Sequence, residues 1–317
     1  MSELRIPDFY IVGHSKSGTT AMYEMLKRHP QVFMPLGKEP WFFADELHER
    51  TPPRPMGTPA TLEQYSEWFL DAAPEQRVGE ATALYLWSHT AAERIAAVRP
   101  DAQIIAILRE PASFLRSLHM QWVQTYIETE VDFASAIELE PARREGRGLP
   151  RYTYWPQVLL YSDHVRYVAQ LERYRAVFPP EQIKLFIYDD WRADNAATMR
   201  EVMRFLGIDD TVAIDPVTAN PTLRPRSQLL NEMVHAVGVG RGPVSRAIKG
   251  SIKALTPART RREAFHAVKQ KLVFSEPAEE DEEFSRKLRA RYRGEVEALS
   301  EYLDRDLISL WGYDTDN

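Results

Sequence analysis

The 317-residue chain is 44% hydrophobic and 27% charged, ordinary globular values that exclude an intrinsically disordered polymer. It contains no cysteine, which removes disulfides, thiolate metal sites and cysteine nucleophiles from consideration. Forty Lys/Arg against 46 Asp/Glu leave a net charge of −6, which argues against general electrostatic binding of nucleic acid.

The N-terminus runs straight into a strand-like segment without a signal-peptide core. No apolar run reaches the roughly 18–20 residues of a membrane span, so a cytoplasmic globular protein is the expectation. Phe9-Tyr10-Ile11-Val12-Gly13 reads as a strand ending in a turn, and Thr19 to Leu26 as a helix. The proline-rich stretch from Thr51 to Pro59 demands a loop. Val78-Gly79-Glu80 predicts a short strand, Ala91 to Val98 a helix, and Gln103 to Leu108 a strand buried on both faces. Pro111 opens a helix running towards Glu128, at the early position that proline favours. Residues 160–178 are helical by period, Ile183 to Tyr188 is a further strand, and Ala196 to Leu206 a helix stopped by Gly207. This alternation predicts an α/β fold: a central parallel β-sheet flanked by helices on both faces, read as a single domain over residues 1–317.

Charge is spread unevenly. Between Arg224 and Val273 eleven Lys/Arg face only Glu232 and Glu263. Valine, isoleucine, leucine and phenylalanine are interleaved with these cations, the composition of an interfacial helix. Gly238, Gly240, Gly242, Pro243 and Pro257 exclude one long helix, however. A flap over a bound nucleotide and a peripheral contact with anionic membrane both fit the basic segment 224–280.

Gly13-His14-Ser15-Lys16-Ser17-Gly18-Thr19-Thr20 has the G-x-x-x-x-G spacing of a phosphate loop between a strand and a helix. Backbone N–H groups of such a turn form an anion-binding nest, to which the helix N-terminus adds partial positive charge. Thr19 stands where a nucleotide-binding loop carries its lysine, and Lys16 lies inside the loop instead, beside the place of a shorter 5′ substituent. Leu108-Arg109-Glu110-Pro111 follows the buried strand, at the sheet edge where α/β proteins bind ligands. Arg109 offers a bidentate fork for phosphate, and Ser117 can donate to the same group. Two separate phosphate sites are therefore expected.

The loop Lys16 to Thr20, the Arg109 and Ser117 pair, and Phe205-Leu206-Gly207 resemble the sulfotransferases that use 3′-phosphoadenosine 5′-phosphosulfate (PAPS). Lys38-Glu39-Pro40-Trp41-Phe42-Phe43 resembles the K-E-x-x-F-F segment of the branch acting on carbohydrates. Gly79 to Leu86 resembles that branch's G-E-K-(S/T)-x-x-Y segment, and the likeness runs in order over residues 6–210. The resemblance implies a P-loop-like fold, PAPS as donor, adenosine 3′,5′-bisphosphate (PAP) as product, and no metal. It implies further that Lys16, Ser17, Gly18, Thr19 and Thr20 hold the 5′ phosphosulfate, and that Arg109 and Ser117 hold the 3′-phosphate. Glu39 matches the branch's general base. Two departures stand out: Ala81 replaces the lysine of the G-E-K segment, and the glycine-rich 3′-phosphate loop of the cytosolic branch is not recognisable. Arg224 and Arg226, in a basic stretch of similar order, are the substitute for that loop.

Sulfuryl transfer, by analogy with phosphoryl transfer, is an in-line displacement in which the protein positions reactants and stabilises moving charge. A cation and several N–H donors belong beside the departing 5′-phosphate oxygen, where Lys16 and the loop stand. The acceptor hydroxyl must give up its proton, and Glu39 is the carboxylate candidate, with His14, His119 and Glu80 as rivals. The resemblance implies as acceptor a hydroxyl, secondarily an amine, of a small molecule, glycolipid or saccharide, and the sequence does not choose among them. Aromatic residues near the motifs, among them Trp41, Phe42, Tyr85, Trp87 and Trp122, either line its pocket or pack the core. Two other classes compete. A nucleotide kinase would use the strand ending in Asp189-Asp190 to hold magnesium, but lacks the usual loop lysine. A non-catalytic module would dock on membrane or protein through the basic segment.

Overall fold

Three strands and the turns that follow them define the centre of the molecule. β1 (Phe9–Gly13) lies between β3 (Arg77–Ala81) and β4 (Gln103–Leu108), with Phe9 opposite both Gly79 and Gln103. β2 (Val32–Phe33) pairs outside β3, and β5 (Ile183–Ile187) outside β4. All pairs are parallel, in the order β2-β3-β1-β4-β5, as the alternating pattern predicts. This computed structural model describes residues 4–48, 58–150, 153, 155–215, 217 and 281–314, with the backbone of two short strands, Arg224–Pro225 and Phe274–Ser275.

The connections explain the layers. From β1 the chain passes through α1 (Thr19–Leu26) towards β2, whereas from β3 it passes through α3 (Ala91–Val98) in the opposite direction to β4. Parallel crossovers are right-handed, so opposite directions put α1 and α3 on opposite faces of the sheet. On the α1 side, Phe9, Ile11, Ile105 and Ile107 meet Met22 and Met25. Met199, Val202, Met203 and Leu206 of α9 (Asn195–Leu206) complete that core. Gly207 ends α9 in the left-handed conformation at φ 67°, as its place after the last apolar residue leads one to expect.

Three elements depart from the sequence reading. Tyr126, at φ 63°, ends α4 (Pro111–Thr125) three residues early, and Ile127 and Glu128 then donate to the Trp122 carbonyl. The helix expected over 160–178 is divided into a 3₁₀ segment, Tyr161–Val165, and α7 (Tyr167–Arg175), because Arg166 leaves helical geometry at ψ 62°. Tyr188, expected as the end of a strand, opens α8 (Tyr188–Ala193). The sequence reading takes the chain as one domain; its contacts group it as two compact units. One holds residues 1–114, 161–220 and 285–317 and contains the whole sheet; the other holds residues 115–160 and 221–284. Among the described residues no helix is long and apolar enough to cross a membrane.

Candidate active site

In a parallel sheet every strand delivers its next residues to the same edge. The carboxyl ends of β1, β2, β3 and β4 therefore bring Lys16, Glu39, Ala81 and Arg109 to one side of the molecule. The order also reverses direction at β1, the place where open α/β sheets bind ligands.

The loop after β1 is closed by its own backbone. His14 N–H donates to the Ile107 carbonyl at 2.8 Å, and Ser17 N–H to the His14 carbonyl at 3.3 Å. Gly18 is the N-cap of α1 at φ 88°, and a Cβ there would lie 2.7 Å from Trp191 Nε1, so only glycine fits. No side chain caps α1, and its first turn contains no acidic residue. The first N–H groups of α1 and their partial positive charge are thus left for an anion. Ser17 and Thr19 are buried, and Thr20 is half-buried.

Arg109 is anchored from three sides. Its Nη1 donates to the Lys16 carbonyl at 2.9 Å, its Nε donates to Ser113 Oγ at 3.1 Å, and its guanidinium lies 4.8 Å from the Tyr188 ring centre. The Tyr167 hydroxyl fixes the Arg109 main chain by donating to its carbonyl at 2.7 Å. Burial lowers the pKa of Arg109, and burial together with the Arg109 charge lowers that of Lys16. Among the described residues neither cation forms an ion pair. Two partly desolvated cations beside an open helix N-terminus give this edge the chemistry to receive a polyanion.

Glu39 approaches from the β2 end. It adopts φ 63°, its N–H donates to the Ala81 carbonyl at 3.0 Å, and its Oε2 accepts from Trp41 Nε1 at 3.1 Å. Its side chain is 27% exposed, which leaves the carboxylate within reach of a bound acceptor. Lys38 joins this segment to the loop, donating to Thr20 Oγ1 at 3.1 Å while its Nζ stands 3.9 Å from Glu39 Oε1.

A profile of the Sulfotransferase family matches residues 7–211, which include every residue of this geometry. The chain belongs to the sulfotransferase family. Its relatives include human bifunctional heparan sulfate N-deacetylase/N-sulfotransferase 3, 28% identical over 213 residues that make up 64% of this chain and 22% of that protein. Human heparan sulfate glucosamine 3-O-sulfotransferase 6 is 30% identical over 214 residues, 66% of this chain and 54% of the relative. The chain thus spans only part of the length of the relatives it matches. A crystal structure of a sulfotransferase from Alicyclobacillus acidocaldarius shares the fold at TM-score 0.66 and 24% identity, covering 96% of this chain and 98% of that one.

Within this sulfotransferase-family chain the rival bases take structural places. His14 is 1% exposed, stacked on Phe114 and tilted against Tyr167. The Gln170 amide nitrogen donates to the carbonyls of Asp163 and His164, so its Oε1 accepts from His14 Nε2 at 2.7 Å. Burial pushes the His14 pKa down to about 3, too low for effective general-base work at neutral pH. His119 is 2% exposed and spends Nε2 on the Val131 carbonyl. Glu80 is 1% exposed and accepts from Tyr65 and Tyr85 at Oε2 and from Thr82 at Oε1. Burial raises its pKa to about 7 against the opposing effect of those three hydrogen bonds. Enclosed in this way, Glu80 faces protein hydroxyls instead of an acceptor.

The acids of the kinase alternative are likewise engaged. Asp189 accepts from the Trp311 indole at 2.9 Å, and Asp190 holds Arg305 through both oxygens at 2.6 and 2.8 Å. Ser117 is buried on α4, six residues after Pro111. Arg226 and most of the basic segment 224–280 lie outside the described residues, and of Arg224 only the backbone is described. Sequence reasoning missed Ser113, Tyr167, Tyr188 and Lys38. Only Lys38 carried a visible signal, its place beside Glu39.

Proposed function

We propose that this protein transfers a sulfuryl group from PAPS to a hydroxyl of a saccharide or other small-molecule acceptor. The observation that carries the reading is the Lys16–Arg109 pair: two half-buried cations joined through a main-chain carbonyl, neither of them in an ion pair among the described residues. A donor bearing phosphate at both its 3′ and 5′ positions supplies the missing negative charge, so the residues present fit it. PAPS brings the activated sulfuryl group and leaves as PAP.

The remaining work falls to the chain. Lys16, Ser17, Gly18, Thr19 and Thr20 hold the 5′ side of the donor, and their N–H groups stabilise charge on the departing phosphate oxygen. Arg109 holds the 3′-phosphate. Glu39 takes the acceptor proton at its carboxylate, held by the Trp41 indole and by its own N–H on the edge of β3. The names of the similar proteins, which act on heparan sulfate, support a saccharide among the acceptor classes.

Calorimetry with PAP, and with ATP plus magnesium, tests the donor, and transfer from radiolabelled PAPS to a panel of saccharides and alcohols tests the acceptor. The reading expects PAP to bind far more tightly than ATP. Tighter, magnesium-dependent binding of ATP would replace it with a kinase.

A further inference from the structure

Lys38 has no task in the mechanism so far, yet it occupies a distinctive place. Its ammonium donates to Thr20 Oγ1 at 3.1 Å and lies 3.9 Å from Glu39 Oε1. The side chain is 15% exposed, and its Nζ stands 5.7 Å from the centre of the Tyr23 ring on α1. Thr20 belongs to the loop-and-helix turn assigned to the donor, and Glu39 is the assigned base. One half-buried cation therefore touches both halves of the reaction.

We propose that Lys38 is a second catalytic cation, which binds the sulfuryl oxygens as the group passes from donor to acceptor. The inference rests on the sulfotransferase reading. In an in-line displacement the moving group lies between the leaving and the attacking oxygens. Here the leaving side is held by the loop and the attacking side by Glu39, and Lys38 bridges the two. The acceptor oxygen forms its bond to sulfur while the bond from sulfur to the 5′-phosphate oxygen breaks. The electron pair of that bond stays on the phosphate, and the acceptor proton goes to Glu39.

An ammonium carries three donors, of which Thr20 uses one. The rest are available to sulfuryl oxygens on the line between Thr20 and Glu39. Burial lowers the Lys38 pKa, while the carboxylates of Glu39, Glu24 and Glu80 oppose that effect and favour the charged form. Ala81, whose carbonyl accepts from the Glu39 N–H, contributes no charge of its own at this edge. Among the described residues Lys38 is the cation within ion-pair distance of Glu39.

The decisive comparison is between PAPS and PAP, which differ only by the sulfuryl group. Calorimetry without acceptor measures both ligands on the wild-type protein, Lys38→Met and Lys38→Arg. We expect Lys38→Met to leave PAP affinity within about twofold and to weaken PAPS by about tenfold, as loss of a charged hydrogen bond implies. Lys38→Arg should recover part of the preference for PAPS. Equal loss of both ligands in Lys38→Met would reduce Lys38 to an anchor of the loop, and no loss of either would also overturn the proposal. Lysine footprinting of the wild-type protein with acetic anhydride gives an answer that needs no variant. PAPS should protect Lys38 more than PAP does, whereas both should protect Lys16, and equal reactivity of Lys38 with the two ligands would refute the contact. Failure of the wild-type protein to bind either nucleotide would instead remove the sulfotransferase reading itself.

Discussion

Arg109 Nη1 lies 2.9 Å from the carbonyl oxygen of Lys16, so the two cations of the site are tied together by the main chain instead of separated by a carboxylate. Burial weakens the hydration of both, and the Arg109 charge further disfavours the charged form of Lys16, because like charges repel more strongly where the dielectric is low. Such an arrangement sacrifices stability of the ligand-free protein to readiness for an anion.

Lys16→Met should therefore raise the melting temperature of the ligand-free protein, by about 2–4 °C for a gain near 1 kcal/mol. The same variant should bind PAP at least about tenfold more weakly. Differential scanning calorimetry with and without PAP reads both effects. A melting point that falls without ligand would show that Lys16 stabilises the loop by contacts of its own.

Arg109→Ala should weaken PAP by about tenfold or more, since a charged hydrogen bond is worth roughly 1.5–3 kcal/mol. Arg109→Lys should recover little, because a lysine cannot reproduce the fork that serves Ser113, the Lys16 carbonyl and a phosphate together. Titration calorimetry on the two variants is the check, and wild-type affinity in either would remove Arg109 from the donor site.

Glu39→Gln keeps the shape of the side chain and can still accept from the Trp41 indole. If Glu39 is the base, turnover should fall by about 10²–10⁴-fold while PAP affinity stays near wild type. Retention of more than about a tenth of normal turnover would sink the assignment. His14→Ala would be uninformative as a rival test, because it opens a cavity between Phe114 and Tyr167.

Gly18→Ala should damage both folding and binding. Its φ of 88° is unfavourable for any L side chain, and the added methyl would meet Trp191 at 2.7 Å. A loss of about 1–3 kcal/mol in urea unfolding is expected, together with weaker PAP binding as the loop shifts. Wild-type stability would mean that the loop adopts another conformation.

Glu80 gives the pH prediction. Its carboxyl pKa rises from the ordinary 4.5 to about 7 in the folded chain. The folded state then holds more protons than the unfolded state, so this group's contribution to stability declines as pH rises from about 4.5 through 7 and is level above. Urea unfolding from pH 5 to 8 should show the wild-type protein losing stability relative to Glu80→Gln, which cannot ionise. A difference that does not change across this range would place the Glu80 pKa near its ordinary value.

Much of this site was legible because its signals are local in sequence. The strand, Gly18 and the following helix stand within 18 residues, Thr19 through Leu26 repeats at a helical period, and Arg109 directly follows β4. What escaped was contact between distant residues. Ser113 and Tyr188 are unremarkable serine and tyrosine until the fold sets them beside Arg109. His14 looked available as a base because it sits in the loop, and Gln170, 156 residues away, is what occupies it.

By itself, the sequence determined the alternation of strands and helices, the glycine-bearing turn after β1 and the identity of the two cations. Backbone hydrogen bonding and apolar periodicity set these over short distances. Only the tertiary structure decided which charges would be desolvated together and which would be enclosed. It brought Arg109 to Lys16 across 93 residues, set Lys38 between Thr20 and Glu39, and closed Tyr65, Thr82 and Tyr85 around Glu80. The reason is physical: the protonation and reach of a side chain depend on the dielectric and the partners around it. In this protein those partners are supplied by strands that pair across the sheet, not by neighbours along the chain.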